Sequence, residues 1–200
     1  MTNDIYSSAD CYKLTASGSW AKDHKASLNT ERFKAAAVVL NNQLVISAGW
    51  NGFGLRSLEV ASPNERPKTL SVQLPTGINA HCQVAWDSDT VIVIGGWSTT
   101  FRAESYFLNI KTDQLTNGPK LKTARLACGC EELDVKGKSY IVVTSGLEFI
   151  DQDHIRTTEV LDRSNVGQGF QEGTIQKFFI KFFFFFLLFF TFQYMAFHCL

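Results

Sequence analysis

Short hydrophobic runs separated by polar residues occur along residues 32–173, which is a pattern typical of β-strands. Runs of β-branched residues without helical spacing occur at 45–46, 91–94 and 141–144. A polar turn precedes each run at hairpin distance, at 41–42, 87–89 and 136–138. No helical pattern of the kind that a TIM barrel or a doubly wound fold needs lies between them. The pattern predicts an all-β chain.

Three segments of this region share one plan. Each has a strand of small residues, a polar turn, a β-branched strand, a small residue followed by glycine, a loop with an arginine and a third strand. The paired small residues are Ala48-Gly49, Gly95-Gly96 and Ser145-Gly146, and their second glycines are 47 and 50 residues apart. Third strands are predicted at 58–61, 106–108 and 159–161, and weaker fourth strands around 70–74, 115 and 170. Four short strands in a repeat of this length are typical of a β-propeller blade.

The repeat resembles that of kelch proteins in the small-glycine pair and in the strand that follows it, of which Glu159-Val160-Leu161-Asp162 is the nearest copy. The resemblance implies three kelch-like blades of an incomplete β-propeller, at about 32–74, 79–119 and 125–173, with residues 1–31 as the end of a preceding blade. Kelch proteins close five to seven blades, so the chain is expected to be a fragment of a larger one. Repeat-structural roles are expected for Gly49, Gly95, Gly96, Gly146, Glu159 and Asp162.

Basic and aromatic residues recur at positions that a propeller brings to one mouth of its channel. Kelch proteins often bind acidic peptides there through arginines, whose planar forks pair with carboxylates. The candidate arginine positions are Arg56, Arg102 and Arg156 before the third strands and Arg32, Asn79 and Arg125 at the first strands. Candidate aromatic anchors in the variable loops are Trp50, Phe53, Trp97 and Phe101. The favoured alternative is structural pairing, for example Arg56 with Glu59 and Arg156 with Glu159.

The amino-acid composition argues against several classes of function. Nineteen basic and nineteen acidic residues give a net charge of zero, which does not support nucleic-acid binding. The first residues lack the basic and apolar regions of a secretory signal, so a cytoplasmic location is the default and the five cysteines are expected to be free thiols. The spacing of Cys128 and Cys130 is not that of a usual metal or redox pair. The four histidines form no cluster, and neither a cofactor, a metal nor a catalytic residue is expected.

The C-terminal residues 177–200 have a different composition, with a long run of phenylalanines. From Phe182 onward nineteen residues carry no charge, which is close to the length of a membrane-spanning helix. Candidate membrane residues are Phe182, Phe186, Leu188, Phe190 and Phe197. Such a run is also what an AT-rich non-coding stretch gives when it is translated. A read-through or gene-model artefact is the favoured interpretation of this segment, and a membrane anchor formed by 178–200 is the alternative.

The sequence as a whole predicts a non-catalytic protein–protein interaction module whose partner is a protein or an acidic peptide. A membrane-tethered form of the same scaffold is the first alternative. A copper enzyme resembling galactose oxidase, on the same type of propeller, is the second and much weaker one.

Overall fold

The computed structural model describes residues 7–63, 65–148 and 155–173, which fold into antiparallel sheets. A two-stranded sheet contains β1 (Tyr12–Leu14) and β2 (Trp20–Lys22). The first four-stranded sheet contains β3 (Ala36–Leu40), β4 (Gln43–Ser47), β5 (Leu58–Ala61) and β6 (Lys68–Thr69). The second contains β7 (Cys82–Ala85), β8 (Thr90–Ile94), β9 (Ser105–Asn109) and β10 (Gln114–Asn117). The third contains β11 (Gly129–Val135), β12 (Lys138–Thr144), β13 (Thr158–Asp162) and β14 (Gln171–Gly173), with a 3-10 turn at Val166–Gln168.

Each four-stranded sheet is a meander in which chain neighbours pair in sequence order. The all-β prediction is therefore confirmed for the described residues. Two of the hairpin turns have left-handed backbone at both central residues, with φ of 47° and 60° at Asn41 and Asn42 and of 55° and 76° at Lys136 and Gly137. This conformation matches the twist of the flanking strands and favours asparagine and glycine.

The third strands lie where the pattern predicted them. The fourth strand of the first sheet does not lie at its predicted position. In the first sheet β6 is only Lys68–Thr69, and the predicted residues 70–74 all follow it. Leu70 and Leu74 are buried there and donate their backbone N–H groups to Leu58 and Arg56. Their apolar character therefore reports packing against the third strand and not a longer fourth strand.

The three larger sheets pack against one another through their faces. One apolar cluster joins the first and second sheets, and includes Val45, Leu58, Val93 and Leu108. Another joins the second and third sheets, and includes Ile92, Ile141 and Leu161. The strand β7 contacts β3 on one side and β11 on the other, so the first strands of the three sheets are neighbours.

Equivalent hydrogen bonds join each sheet to the next just before the first strands. The Ala80 N–H donates to the Lys34 carbonyl at 2.9 Å, and the Ala127 N–H donates to the Ala80 carbonyl at 2.7 Å. Lys34, Ala80 and Ala127 all have a positive φ of 50° to 53°. The three sheets therefore begin at the same end and run in the same sense.

The structure corrects the alignment of the first strands by one residue in the second sheet. Phe33 pairs with Trp50 as Asn79 pairs with Trp97 and Leu126 with Leu147. Asn79 is therefore the counterpart of Phe33 and not of Arg32. The hairpin turn between β7 and β8 is longer than the turn between β3 and β4. Counting residues back from the glycine that follows the second strand therefore aligns the wrong residues of the two first strands.

The strands β1 and β2 hold the place of third and fourth strands beside the first sheet. The Arg32 N–H donates to the Ser8 carbonyl, just as the Ile78 N–H donates to Leu55 and the Arg125 N–H donates to Arg102. The strands that follow Ser8, Leu55 and Arg102 are β1, β5 and β9. Large apolar side chains on these two strands are exposed, namely Tyr12, Leu14 and Trp20.

Candidate binding surface and buried polar networks

The connections between second and third strands leave all three large sheets at the same end, because the sheets begin at one common end. We call residues 50–56, 97–102 and 155–157 of these connections the loop face. It contains most of the arginine and aromatic positions that the sequence singled out. The hairpin turns at 41–42 and 136–137 lie at the opposite end of the strands.

Three of the candidate side chains on the loop face are exposed to solvent. Phe53 has 64% of its surface exposed. Arg56 is exposed and donates from Nε to the Leu74 carbonyl at 2.6 Å. Arg156 is exposed as well. An aromatic ring and two guanidinium groups are therefore available to a partner at this end.

The other candidates on the loop face are partly covered by their neighbours. Trp97 and Phe101 pack edge to face, with ring centroids 5.2 Å apart. Trp50 is half-buried, and its backbone forms an antiparallel β-bridge with Phe33. Arg102 is half-buried and pairs from Nε with Glu104 at 3.1 Å. These residues shape the surface, and the Arg102 guanidinium is engaged within it.

Arg32 is buried in an ion pair with Glu59. The two side chains are 1% and 0% exposed. The guanidinium donates to the Ala48 carbonyl at 2.6 Å as well as to the carboxylate. The carboxylate in turn accepts from the backbone N–H groups of Asn29, at 2.7 Å, and Thr30, at 3.0 Å. All of these polar groups are satisfied inside the protein.

Arg125 repeats this arrangement in the third sheet. Its guanidinium donates to Glu159 at 2.6 Å and to the Ser145 carbonyl at 3.0 Å. Glu159 accepts from the backbone N–H groups of Lys122, at 2.7 Å, and Thr123, at 3.1 Å. A buried carboxylate is tolerated because it has this many donors around it.

The expected arginine roles are corrected by these contacts. Arg32 and Arg125 cannot reach a partner at the surface, since they are enclosed with their acids. The pairing proposed as the structural alternative used the right acids, Glu59 and Glu159, with the wrong arginines. Asn79, also expected at the surface, is buried.

The second sheet replaces the ion pair with apolar residues. By register, Ile78 stands where Arg32 and Arg125 stand, and Tyr106 stands where the two glutamates stand. Both are buried, at 3% and 9% exposure. Pro75, which has no N–H to donate, is the counterpart of Asn29. The second sheet therefore lacks the arginine, the glutamate and one of the backbone N–H groups that would donate to the carboxylate.

The glycines of the repeat lie where a side chain would collide with backbone. Gly49, Gly96 and Gly146 have φ of 100° to 110°, and a Cβ on each would come within 2.9 Å of a carbonyl oxygen just before the first strand. Gly95 also has a positive φ, of 67°. Asp162 accepts from the backbone N–H and hydroxyl of Ser164 and closes the turn after β13; these bonds hold the pKa of Asp162 below its usual value.

A buried polar network that the sequence did not reveal joins the first and second sheets. His81 Nε2 lies 2.7 Å from Ser47 Oγ, which is the spacing of a nucleophile and its base. The Ser47 hydroxyl, however, donates to Gln83 Oε1, and Gln83 Nε2 donates to the Val45 carbonyl at 3.0 Å. His81 is then the donor to Ser47, so this is a structural chain of hydrogen bonds.

Burial keeps this histidine neutral. Desolvation lowers the pKa of His81 from 6.5 to about 3. Its Nδ1 atom is buried and has no hydrogen-bond partner in the described part of the chain. Ser47 and His81 are both at most 6% exposed, so neither can meet a substrate.

The cysteines differ from expectation. A disulfide joins Cys82 in β7 to Cys130 in β11, with Cα atoms 5.9 Å apart. The prediction that all thiols are free is therefore wrong for this pair. The bond depends on which face of β7 meets which face of β11, and the sequence pattern does not show this contact. Cys11 and the buried Cys128 are free.

The described residues contain neither a metal-binding cluster nor a membrane-spanning helix. Within 7–63, 65–148 and 155–173, no group of three or more His, Cys, Asp or Glu side chains could hold a metal ion. Over the same ranges no helix is long and apolar enough to span a bilayer. The candidate membrane residues of the tail, Phe182 to Phe197, lie outside the described residues.

No protein-family model matches the chain. A curated protein, the spermatocyte protein spe-26 of Caenorhabditis elegans, is 30% identical over 96 residues, which are 48% of this chain. The match spans only 17% of the length of that protein.

Proposed function

We propose that the chain is a non-catalytic protein-binding module, built on kelch-like sheets that form part of a β-propeller. The observation that carries this proposal is the loop face, where three exposed residues, Phe53, Arg56 and Arg156, lie at one end of a repeated scaffold. Side chains of these types dominate the binding energy of many protein interfaces. The partner is a protein segment that carries carboxylates.

The repeated packing supports the propeller part of the proposal. Three meanders of four strands lie side by side with their first strands adjacent, and β1 and β2 continue the series on one side. Radial repetition of four-stranded sheets is the plan of a propeller. On this interpretation the chain contributes part of a ring, and the whole ring belongs to a longer protein.

A binding assay with acidic peptides tests the function. Peptides selected from a random displayed library on the full chain should be rich in Asp and Glu, and should bind less tightly as salt concentration rises. Arg56→Glu and Arg156→Glu should each weaken their binding about tenfold, and Phe53→Ala by a similar factor.

Lys111→Glu is the matched control, because it makes the same charge change at an exposed position in the β9–β10 turn, at the opposite end of the strands. It should leave the affinity unchanged. Selection of peptides without acidic residues, or equal losses for Lys111→Glu and Arg56→Glu, would refute binding at the loop face.

A further inference from the structure

The two interfaces between large sheets follow one plan with different chemistry at the first strands. At the first interface the inner positions hold Ser47, His81 and Gln83, joined by hydrogen bonds. By register, the same positions at the second interface hold Ile94, Cys128 and Cys130. The second interface thus has sulfur atoms where the first has a polar network.

The disulfide at this interface is an inter-sheet bond. Cys82 projects from β7 toward the third sheet, and Cys130 projects from β11 toward the second. The two residues are 48 apart in sequence, so the bond closes a long loop of chain. Bonds that close long loops constrain the unfolded chain most strongly.

The two bonded cysteines differ in exposure to solvent. Cys82 is 7% exposed, whereas Cys130 is half-buried on a strand whose neighbouring residues Gly129, Glu131 and Glu132 are exposed. A small thiol therefore approaches the bond from the Cys130 side. The third sulfur, that of Cys128, is 3% exposed, and burial raises the pKa of its thiol to about 11. It stays protonated and is a poor competitor for the exchange.

We propose that Cys82 and Cys130 form a thiol–disulfide exchange site for low-molecular-weight thiols, which controls the docking of the third sheet on the second. The thiolate of the small molecule attacks the Cys130 sulfur, the S–S bond breaks, and Cys82 leaves as a thiolate that takes up a proton. A second small thiol then releases Cys130 as a thiol. The products are two protein thiols and one small-molecule disulfide, and the reverse sequence restores the bond.

A non-reducing tryptic digest of the full chain tests the bond itself. Cys82 lies in the peptide 69–102, and Cys128 and Cys130 lie in the peptide 126–136. Protein treated with glutathione disulfide should give these two peptides linked, and fragmentation should place the link on Cys130. Limiting reduced glutathione should leave its first adduct on Cys130. Separate peptides in which Cys82, Cys128 and Cys130 are all alkylated under oxidising conditions, or a link or first adduct on another cysteine, would overturn the proposal.

Thermal unfolding of the full chain tests the control of docking. Reduction should lower the melting temperature by about 10 °C, given the usual stabilisation by a disulfide that closes a loop of this length. Cys130→Ser should show no further change on reduction, whereas Cys128→Ser and Cys11→Ser should respond like the parent protein.

Amide hydrogen exchange locates the effect. Reduction should speed exchange in β11 and β12 and leave the interface of β3 and β7, which has no disulfide, unchanged. No change in melting temperature on reduction, or equal acceleration at both interfaces, would contradict a disulfide that acts on the third sheet.

Discussion

At the residue scale, the buried charges have structural and not recognition roles. Arg125 and Glu159 are 0% and 1% exposed, and each has several further partners. Their enclosure could not be predicted from sequence, because a recurrent arginine looks the same whether it faces a ligand or an internal carboxylate. The distinction depends on a non-local contact, since Arg125 precedes the first strand of its sheet and Glu159 lies in the third strand.

The second sheet suggests how the pair can be replaced. Arg125→Ile alone should cost about 3–5 kcal/mol of unfolding free energy, because Glu159 is left as an unpaired buried charge. Glu159→Tyr alone should also be strongly destabilising. The double variant, which copies Ile78 and Tyr106, should cost clearly less than the sum of the two. Urea unfolding of the four proteins measures this, and additive costs would show that the groups do not interact.

His81 should make stability depend on pH. Its pKa is about 3 in the folded protein and 6.5 ordinarily, so between these values the unfolded chain binds a proton that the folded chain does not. Stability therefore falls as pH falls, by about 2 kcal/mol from pH 6.5 to 4.5. His81→Gln should remove this part of the slope in urea unfolding, whereas His24→Gln, at an exposed site, should keep it. Equal slopes for the parent and His81→Gln would contradict the assignment.

At the element scale, the sequence was informative about strands and turns and less so about what joins the sheets. The β-branched runs and the turns at 41–42 and 136–137 placed the hairpins, because period and turn chemistry are local properties. The fourth strand of the first sheet was misplaced, since buried Leu70 and Leu74 resemble strand residues. The disulfide was missed because it depends on which face of β7 meets which face of β11.

The glycine after each second strand should be intolerant of a side chain. In Gly96→Ala the new Cβ would lie 2.8 Å from the Asn79 carbonyl oxygen at a φ of 100°, so we expect a loss of more than about 2 kcal/mol in unfolding free energy. Gly18→Ala is the control, because Gly18 also has a positive φ, of 79°, but open space around it. It should cost at most about 1 kcal/mol. Similar costs for the two variants in chemical denaturation would show that the close approach is unimportant.

At the scale of the whole molecule, contacts at both ends of the strands hold the sheets in one array. At the hairpin end, the Arg163 guanidinium from the third sheet lies 4.7 Å from the Trp86 ring centroid of the second. It also pairs with Glu132 and donates to the Trp86 carbonyl. The contacts of Arg163 lie at one end of this interface and the disulfide lies near the other end. The orientation of the third sheet on the second is therefore fixed at two separated points.

Replacing the planar guanidinium of Arg163 should weaken its contacts with Trp86 and lower the stability of the protein. Arg163→Lys keeps the charge but loses the stacking and the forked hydrogen bonds, and should cost about 1–2 kcal/mol in urea unfolding. Arg156→Lys, at an exposed position, should be neutral within about 0.5 kcal/mol. If Arg163→Lys were as neutral as Arg156→Lys, the contact with Trp86 would contribute nothing to stability.

The central claim is that partners meet the molecule at one end of its sheets. Its most direct test is to follow backbone amide chemical shifts while an acidic peptide that binds the chain is added. The account predicts shifts that change at residues 50–56, 97–102 and 155–157 and stay constant at the opposite turns 41–42, 87–89 and 136–137. Changes concentrated at those turns, or spread evenly over both ends, would contradict it.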